Sequence, residues 1–243
     1  MTSTLKATLL LATIFLTASF AQAQNGSLTH IFPQVVDGVW SDGTVWTSRF
    51  LIASSTGSPV TCQVSLFGLD PGRLSAPASV QVQESFFETI STRGEDVIDT
   101  GYARLDCPQP VVASLTYSLV SATGTPLGIA TVPAAPIASV ASIPMVLNGR
   151  YRYGIAMAND TDGPQLLVLL FDSGATSLVR TISMQPRSQY VAFVDEIFNV
   201  PAAGMAILRI GAFDQAAQPG NFHITALLFD QGGFTNVVPT VIR

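Results

Sequence analysis

The chain has 243 residues, 48% apolar and only 11% charged, with a formal net charge of −5. Lys6 is the only lysine, so every later cation is one of ten scattered arginines set against sixteen Asp and Glu. A surface of that sign without a basic stripe excludes nucleic acid as a natural partner and disfavours anionic membranes.

Residues 1–23 have one cation, an apolar run from Ala7 to Phe20 and the sequence Ala21-Gln22-Ala23. This is the pattern of a secretory signal peptide with cleavage after Ala23. The apolar run is shorter than the roughly 20 residues that a bilayer-spanning helix needs. No later segment is long and apolar enough to span a membrane, so the expected location is secreted, periplasmic or at the cell surface.

The mature chain is expected to be all-β, because Gly, Pro, Ser and Thr recur between short Val, Ile, Leu and Phe runs. An internal repeat divides it. Ile31–Gly38 matches Ser142–Gly149 around Pro33 and Pro144, each read as a short edge-type strand that ends in an Asp-Gly or Asn-Gly turn. Trp46–Pro59 then matches Tyr151–Pro164, and Cys62–Gly68 matches Leu166–Gly174. Ser79–Gln83 answers Thr181–Gln185, and strand alternation lapses after both, around Glu88 and around Asp195-Glu196, at a spacing that suits one helical turn. The stretch Gly101–Leu119 shows the strictest period-2 pattern and reads as a hairpin broken at Pro108-Gln109-Pro110, with a weaker copy in Gly204–Ile210 and Phe222–Phe229. A last strand closes each unit. About seven strands per unit at this spacing predict two tandem immunoglobulin-like β-sandwich lobes, residues 24–136 and 137–243, derived from a duplication. Pro133–Ser142 is the expected joint, with Ile137 and Val140 packing between the lobes.

The two cysteines, Cys62 and Cys107, both fall on apolar strand faces. In an oxidising compartment they are expected to pair, stabilising the first lobe by roughly 4 kcal/mol on the chain-entropy estimate. Aligning Phe67 with Phe171 and Gly101 with Gly204 places Leu166 and Ile210 at the corresponding positions of the second unit, both expected in its core.

The pattern of Ile31–Gly38, Trp46–Ser54, Gly101–Leu119, Ser142–Gly149 and Tyr153–Asn159 resembles a group of uncharacterised secreted bacterial proteins built of tandem β-sandwich repeats. The resemblance spans nearly all of the mature chain but rests on strand and turn signals. It implies the fold and export, and it supplies no catalytic residues.

Motifs for nucleophilic serine, zinc-peptidase, phosphate-loop or dinucleotide chemistry are absent from the sequence. His30 and His223 are isolated, His223 on the outward face of a predicted strand, so no triad is expected and no cofactor or metal is assigned. Asn159–Gly163 carries several oxygen ligands, yet on a calcium loop it would put Ala158 and Leu169 at two ligand positions, so it reads as a turn. Carboxylates cluster at Glu84 and Glu88, at Glu95, Asp96 and Asp99, and at Asp195 and Glu196. They support the alternative function, an extracellular hydrolase acting on polysaccharide or peptide through paired carboxylates. The preferred expectation is a non-catalytic structural or binding protein. Its expected surface is the loop Asp37–Trp46, which carries Trp40 and Trp46, together with Tyr151 and Tyr153 in the corresponding place, facing carbohydrate or another extracellular protein.

Overall fold

The computed structural model describes residues 27–74, 79–82, 88–94, 97–200, 203–230 and 233–242. The expected signal peptide and its cleavage site lie outside them, as do Glu84, Glu95 and Asp96. The protein is all-β, 69% strand and 4% helix.

Seven strands come from the first half: β1 (Ser27–Val39), β2 (Val45–Ser54), β3 (Val60–Phe67), β4 (Ser79–Val82), β5 (Glu88–Ser91), β6 (Asp99–Val120) and β7 (Pro126–Pro133). Ten come from the second: β8 (Ile137–Ala138), β9 (Val140–Leu147), β10 (Arg152–Asn159), β11 (Gln165–Asp172), β12 (Ser177–Met184), β13 (Ser188–Phe193), β14 (Gly204–Phe213), β15 (Phe222–Asp230), β16 (Gly233–Val237) and β17 (Thr240–Ile242). A one-turn helix, α1 (Val194–Ile197), follows β13 where alternation was expected to lapse. The matching place in the first half holds strand β5 instead.

β6 corrects the expected hairpin. It is one antiparallel-paired strand of 22 residues that runs straight through Pro108 and Pro110. Up to Asp106 it pairs with β1 and β3, and from Val111, where Ser27 of β1 makes one further pair across an irregularity, it pairs with β2 and β7. The physical reason is that a residue before proline is pushed to extended backbone and proline has no N–H to give a ladder. The prolines thus release one set of partners without reversing the chain. In the second half the same course is split into β14 and β15, joined by a turn in which Asp214 caps Ala216 and Gln218.

The first half forms one sheet, in order β4-β3-β6-β1-β2-β5 with β7 on β6. The second forms two, β12-β11-β14-β9-β17 and β13-β10-β15-β16, with β8 on β15. The pairings β4-β3-β6-β1 and β5-β2-β6-β7 of the first half recur, strand for strand, as β12-β11-β14-β9 and β13-β10-β15-β16. β1 is therefore not an edge strand: it lies between β6 and β2, and Pro33 is accommodated by a bulge between Phe32 and Val35.

Inward-facing residues make a core in each half. Phe32, Phe50, Leu105 and Leu115 fill the first, and Ile143, Met157, Leu169 and Phe171 the second. Leu227 and Phe234 of the second half join the first core, Phe234 lying against Gly128, where a Cβ would stand 2.7 Å from its ring. Ile137 is 40% exposed and pairs with His223, so the expected packing of Ile137 between the lobes is replaced by these aromatic and leucine contacts.

Cys62 and Cys107 are bonded, with Cα atoms 4.4 Å apart. They face each other across β3 and β6, one step beyond the Gln63–Asp106 pair, so the bridge joins neighbours in one sheet. The bridge of antibody domains instead spans two sheets. Ile210 is buried as expected, but Leu166 is exposed and Leu167 and Leu169 are buried. Aligning Phe67 with Phe171 slipped the register by one, which moves every side chain to the other face. Replacing both cysteines by alanine is expected to lower stability by roughly 4 kcal/mol in denaturant unfolding, with amide protection lost along β3 and β6 before β11 and β14.

Candidate functional site

The loop after β1 is a tight turn. Trp40 accepts from Gly43 N at 2.9 Å and donates to Thr44 O at 2.8 Å, while the Asp42 carboxylate accepts from Thr44 N at 2.9 Å and its hydroxyl at 2.7 Å. Those bonds hold the Asp42 carboxyl below its usual range. Gly43 takes φ of +81°, which the turn requires. The expected Asp37 turn is different: Asp37 is buried, accepting from Gly94 N and from Arg73 Nη1 at 3.0 Å, and so serves as an anchor for the base of the loop. With its ends fixed, the loop projects Trp40, which is 50% exposed.

Trp46 is two residues into β2 and half-buried. It begins a file of rings across the junction of the halves: Trp46 to Phe234 at 5.1 Å, Phe234 to Phe229 at 5.5 Å and Phe229 to Phe193 at 5.2 Å. The Arg152 guanidinium closes the file, 3.8 Å above the Phe193 ring. Beside the file lies a groove of about 310 Å³ lined by Trp40, Trp46, Phe193, Phe229, Gln34 and Thr100, with Glu196 at its rim. Glu196 is engaged by Arg152 Nη2 at 3.1 Å and by Phe193 N at 3.1 Å, and Asp195 takes the other fork of Arg152.

The other two expected surface residues are elsewhere. Tyr153 is buried, its hydroxyl donating to Val146 O and accepting from Val146 N at 2.7 Å, so it is a core residue and not part of a binding surface. Tyr151 is partly buried against the second core and does not line the groove. Phe193 and Phe229 were missed by sequence reasoning. The only signal was parity, since both occupy outward positions on strands whose inward positions are already apolar.

A second junction cluster is polar. Asp160, from the turn after β10, accepts from Tyr102 Oη at 2.9 Å, Arg104 Nη1 at 3.1 Å and Arg187 Nη1 at 2.6 Å. Burial, with the Asp160 charge beside it, pushes the Tyr102 hydroxyl far above its ordinary value. Gln189 donates to Pro33 O at 2.6 Å and Gly101 O at 2.8 Å. The Asn159–Gly163 segment is a turn, as expected, with the Asn159 side chain bonded to Gly163 O, Gln185 O and Thr161. Among the described residues no group of three or more His, Cys, Asp or Glu could hold a metal ion.

His223 is not solvated as expected. It faces outward from β15 but lies under the 133–137 segment, with Nδ1 2.9 Å from Ala135 O, which makes Nδ1 the protonated nitrogen. Burial lowers its pKa against the opposing effects of the Ala135 carbonyl and Asp160.

No known protein family matches the chain, and no curated protein matches it. Among solved structures the chain is similar to Thermotoga maritima 1070, at 13% identity and a TM-score of 0.32, over 43% of this chain and 91% of that one. It is also similar to the lectin from Pleurotus ostreatus in complex with GalNAc, at 8% identity and a TM-score of 0.20, over 93% of this chain and 79% of that one. Likenesses this distant carry no argument about fold or function.

Two outcomes follow from the junction. Asp160→Ala leaves the buried Tyr102 hydroxyl without its acceptor, while Arg104 keeps Asp106 and Arg187 keeps Asp162, and is expected to cost about 1–3 kcal/mol in denaturant unfolding. For His223, a folded pKa below the unfolded one means that the unfolded chain binds the extra proton first. Stability is full above the unfolded value near 6.5 and falls as pH drops toward the folded one; thermal melts between pH 7 and pH 5 should show it, and His223→Gln should flatten the dependence.

Proposed function

We propose that the chain is an exported, non-catalytic protein of two immunoglobulin-like β-sandwich units, derived by duplication, that binds a carbohydrate in the groove at their junction. The repeated pairing order of the two halves supports the duplication, and the disulfide is consistent with an oxidising compartment outside the cytoplasm. No described helix is long and apolar enough to cross a membrane.

The observation that carries the binding reading is the exposed Trp40 indole beside an aromatic wall. A sugar ring offers an apolar face of C–H groups and a polar edge. Trp40, Phe193 and Phe229 match the first; Gln34, Thr100 and Glu196 match the second. Glu196 is held by Arg152, with which Asp195 also pairs, so these carboxylates serve to position the rim and α1 in preference to acid–base work.

The chain has two tryptophans, and both line the groove, so indole emission reports its occupancy directly. A glycan array on the mature chain, followed by fluorescence titration of the best ligand, is expected to show saturable quenching. Trp40→Ala should weaken binding by about 2 kcal/mol, roughly thirtyfold, without lowering the melting temperature, because Trp40 is outside both cores. Unchanged affinity in that variant would refute the site. Polysaccharide turnover abolished by Glu196→Gln would instead favour the hydrolase.

A further inference from the structure

We propose that the aromatic groove is one end of a longer trough along the outer side of β13, which takes the interior of a neutral, straight-running polysaccharide and not a single sugar. This rests on the carbohydrate reading of the groove and adds to it the length and charge of the ligand.

β13 supplies one wall. Its residues Gln189, Val191 and Phe193 pair with Ala158, Ala156 and Gly154, the outward positions of β10, so all three turn toward the first half. Gln189 reaches across to Pro33 O and Gly101 O and ties the two walls together. Phe193 lines the aromatic groove, Gln189 lines a second open cavity of about 430 Å³, and Val191 lines both. The first half supplies the opposite wall in the same order: Phe67 in the second cavity, Thr100 in both, and Trp40 in the groove. Two cavities that share a residue on each wall are neighbouring parts of one trough. From Gln189 to Phe193 the strand advances about 13 Å at its ordinary rise, which is more than a single sugar ring spans.

The two cavities also share a chemistry. In the second, the Phe67 ring, stacked on Tyr102 at 4.6 Å, stands beside Thr100, Ser188 and Arg187. The Ser188 hydroxyl donates to Gln185 O and keeps its oxygen free to accept. An aromatic ring beside polar groups thus occurs twice along one strand, which suits a polymer whose repeating unit has an apolar face and a polar edge. A straight wall favours a β-1,4-linked chain, which extends as a ribbon, over an α-1,4-linked chain, which coils.

Charge narrows the choice further. The charged residues that line the two cavities, among those described, are Arg187 and Glu196. Arg187 is committed to Asp160 and Asp162, and Glu196 to Arg152, so neither offers an uncompensated charge to a ligand. Without the leader the chain carries ten arginines against sixteen acids, and that balance repels an anionic polymer.

Calorimetric titration of the mature chain with β-1,4-linked oligomers of glucose, mannose and N-acetylglucosamine, from the disaccharide to the hexasaccharide, tests the proposal. In at least one series the hexasaccharide should bind about thirtyfold tighter than the disaccharide, the worth of one good aromatic contact and more than repetition of a single site gives. Phe67→Leu keeps an apolar residue on Tyr102 but removes the ring; it should leave the disaccharide affinity unchanged and abolish most of the gain with length, whereas Trp40→Ala should weaken every length. The length series on the parent chain decides the question even where that leucine variant melts early. Equal affinity for disaccharide and hexasaccharide overturns the trough and leaves the Trp40 groove standing as a short site. Tighter binding of oligogalacturonate than of every neutral chain overturns the charge assignment. If none of the three series binds while the glycan array yields another ligand, the trough alone is overturned; an array without any ligand overturns the carbohydrate reading with it.

Discussion

The arrangement of the molecule depends on how closely β10 can approach the first half. After Arg152 at its start, its outward positions are Gly154, Ala156 and Ala158, so where it meets Ile31 and Tyr102 it presents no side chain longer than a methyl group. A strand buried on both faces must lose water from its polar groups as well as its apolar ones, and β10 does so with its backbone paired to β13 and β15. At the end of that strand Asp160 enters with its partners already in place. The small residues set the distance, and the carboxylate sets the register.

The same junction creates the groove. The two halves touch through Ile31, Tyr102 and Ala158, and the groove is bordered by what their strands present beside that contact. Trp40 comes from a loop anchored by Asp37 and Arg73, and Phe193 and Phe229 come from outward positions of β13 and β15. The site therefore exists only while both halves are docked. Any ligand held between Trp40 and Phe229 would reinforce the docking by mass action.

Period-2 alternation made the all-β class legible in the sequence and the compartment made the disulfide so, but not the strand number, since the second half has ten strands where about seven were expected. The course of Gly101–Leu119 was not legible, because Pro-Gln-Pro suits either a reversal or an extended crossing and the choice depends on distant partners. Leu166 and Leu167 show a second limit. In a run such as Leu166–Phe171 almost every residue is apolar, so parity alone does not say which face is inward. Of the four aromatics proposed for a surface, Trp40 and Trp46 reach the groove. Tyr153 was hidden by the same ambiguity, in a strand that is buried on two sides.

The unbroken β6 also bears on resistance to proteolysis. Extracellular proteases need several residues of loop to thread through their clefts, and they find such loops where two strands reverse. In the first half, the passage of β6 from its partners β1 and β3 to its partners β2 and β7 offers no reversal, only Pro108 and Pro110 flanked by the Cys107 bridge. In the second half the same passage is an exposed turn around Gln215 and Ala216. The two halves thus differ in where they can be cut, and the half that carries Trp40 keeps this passage closed to cleavage.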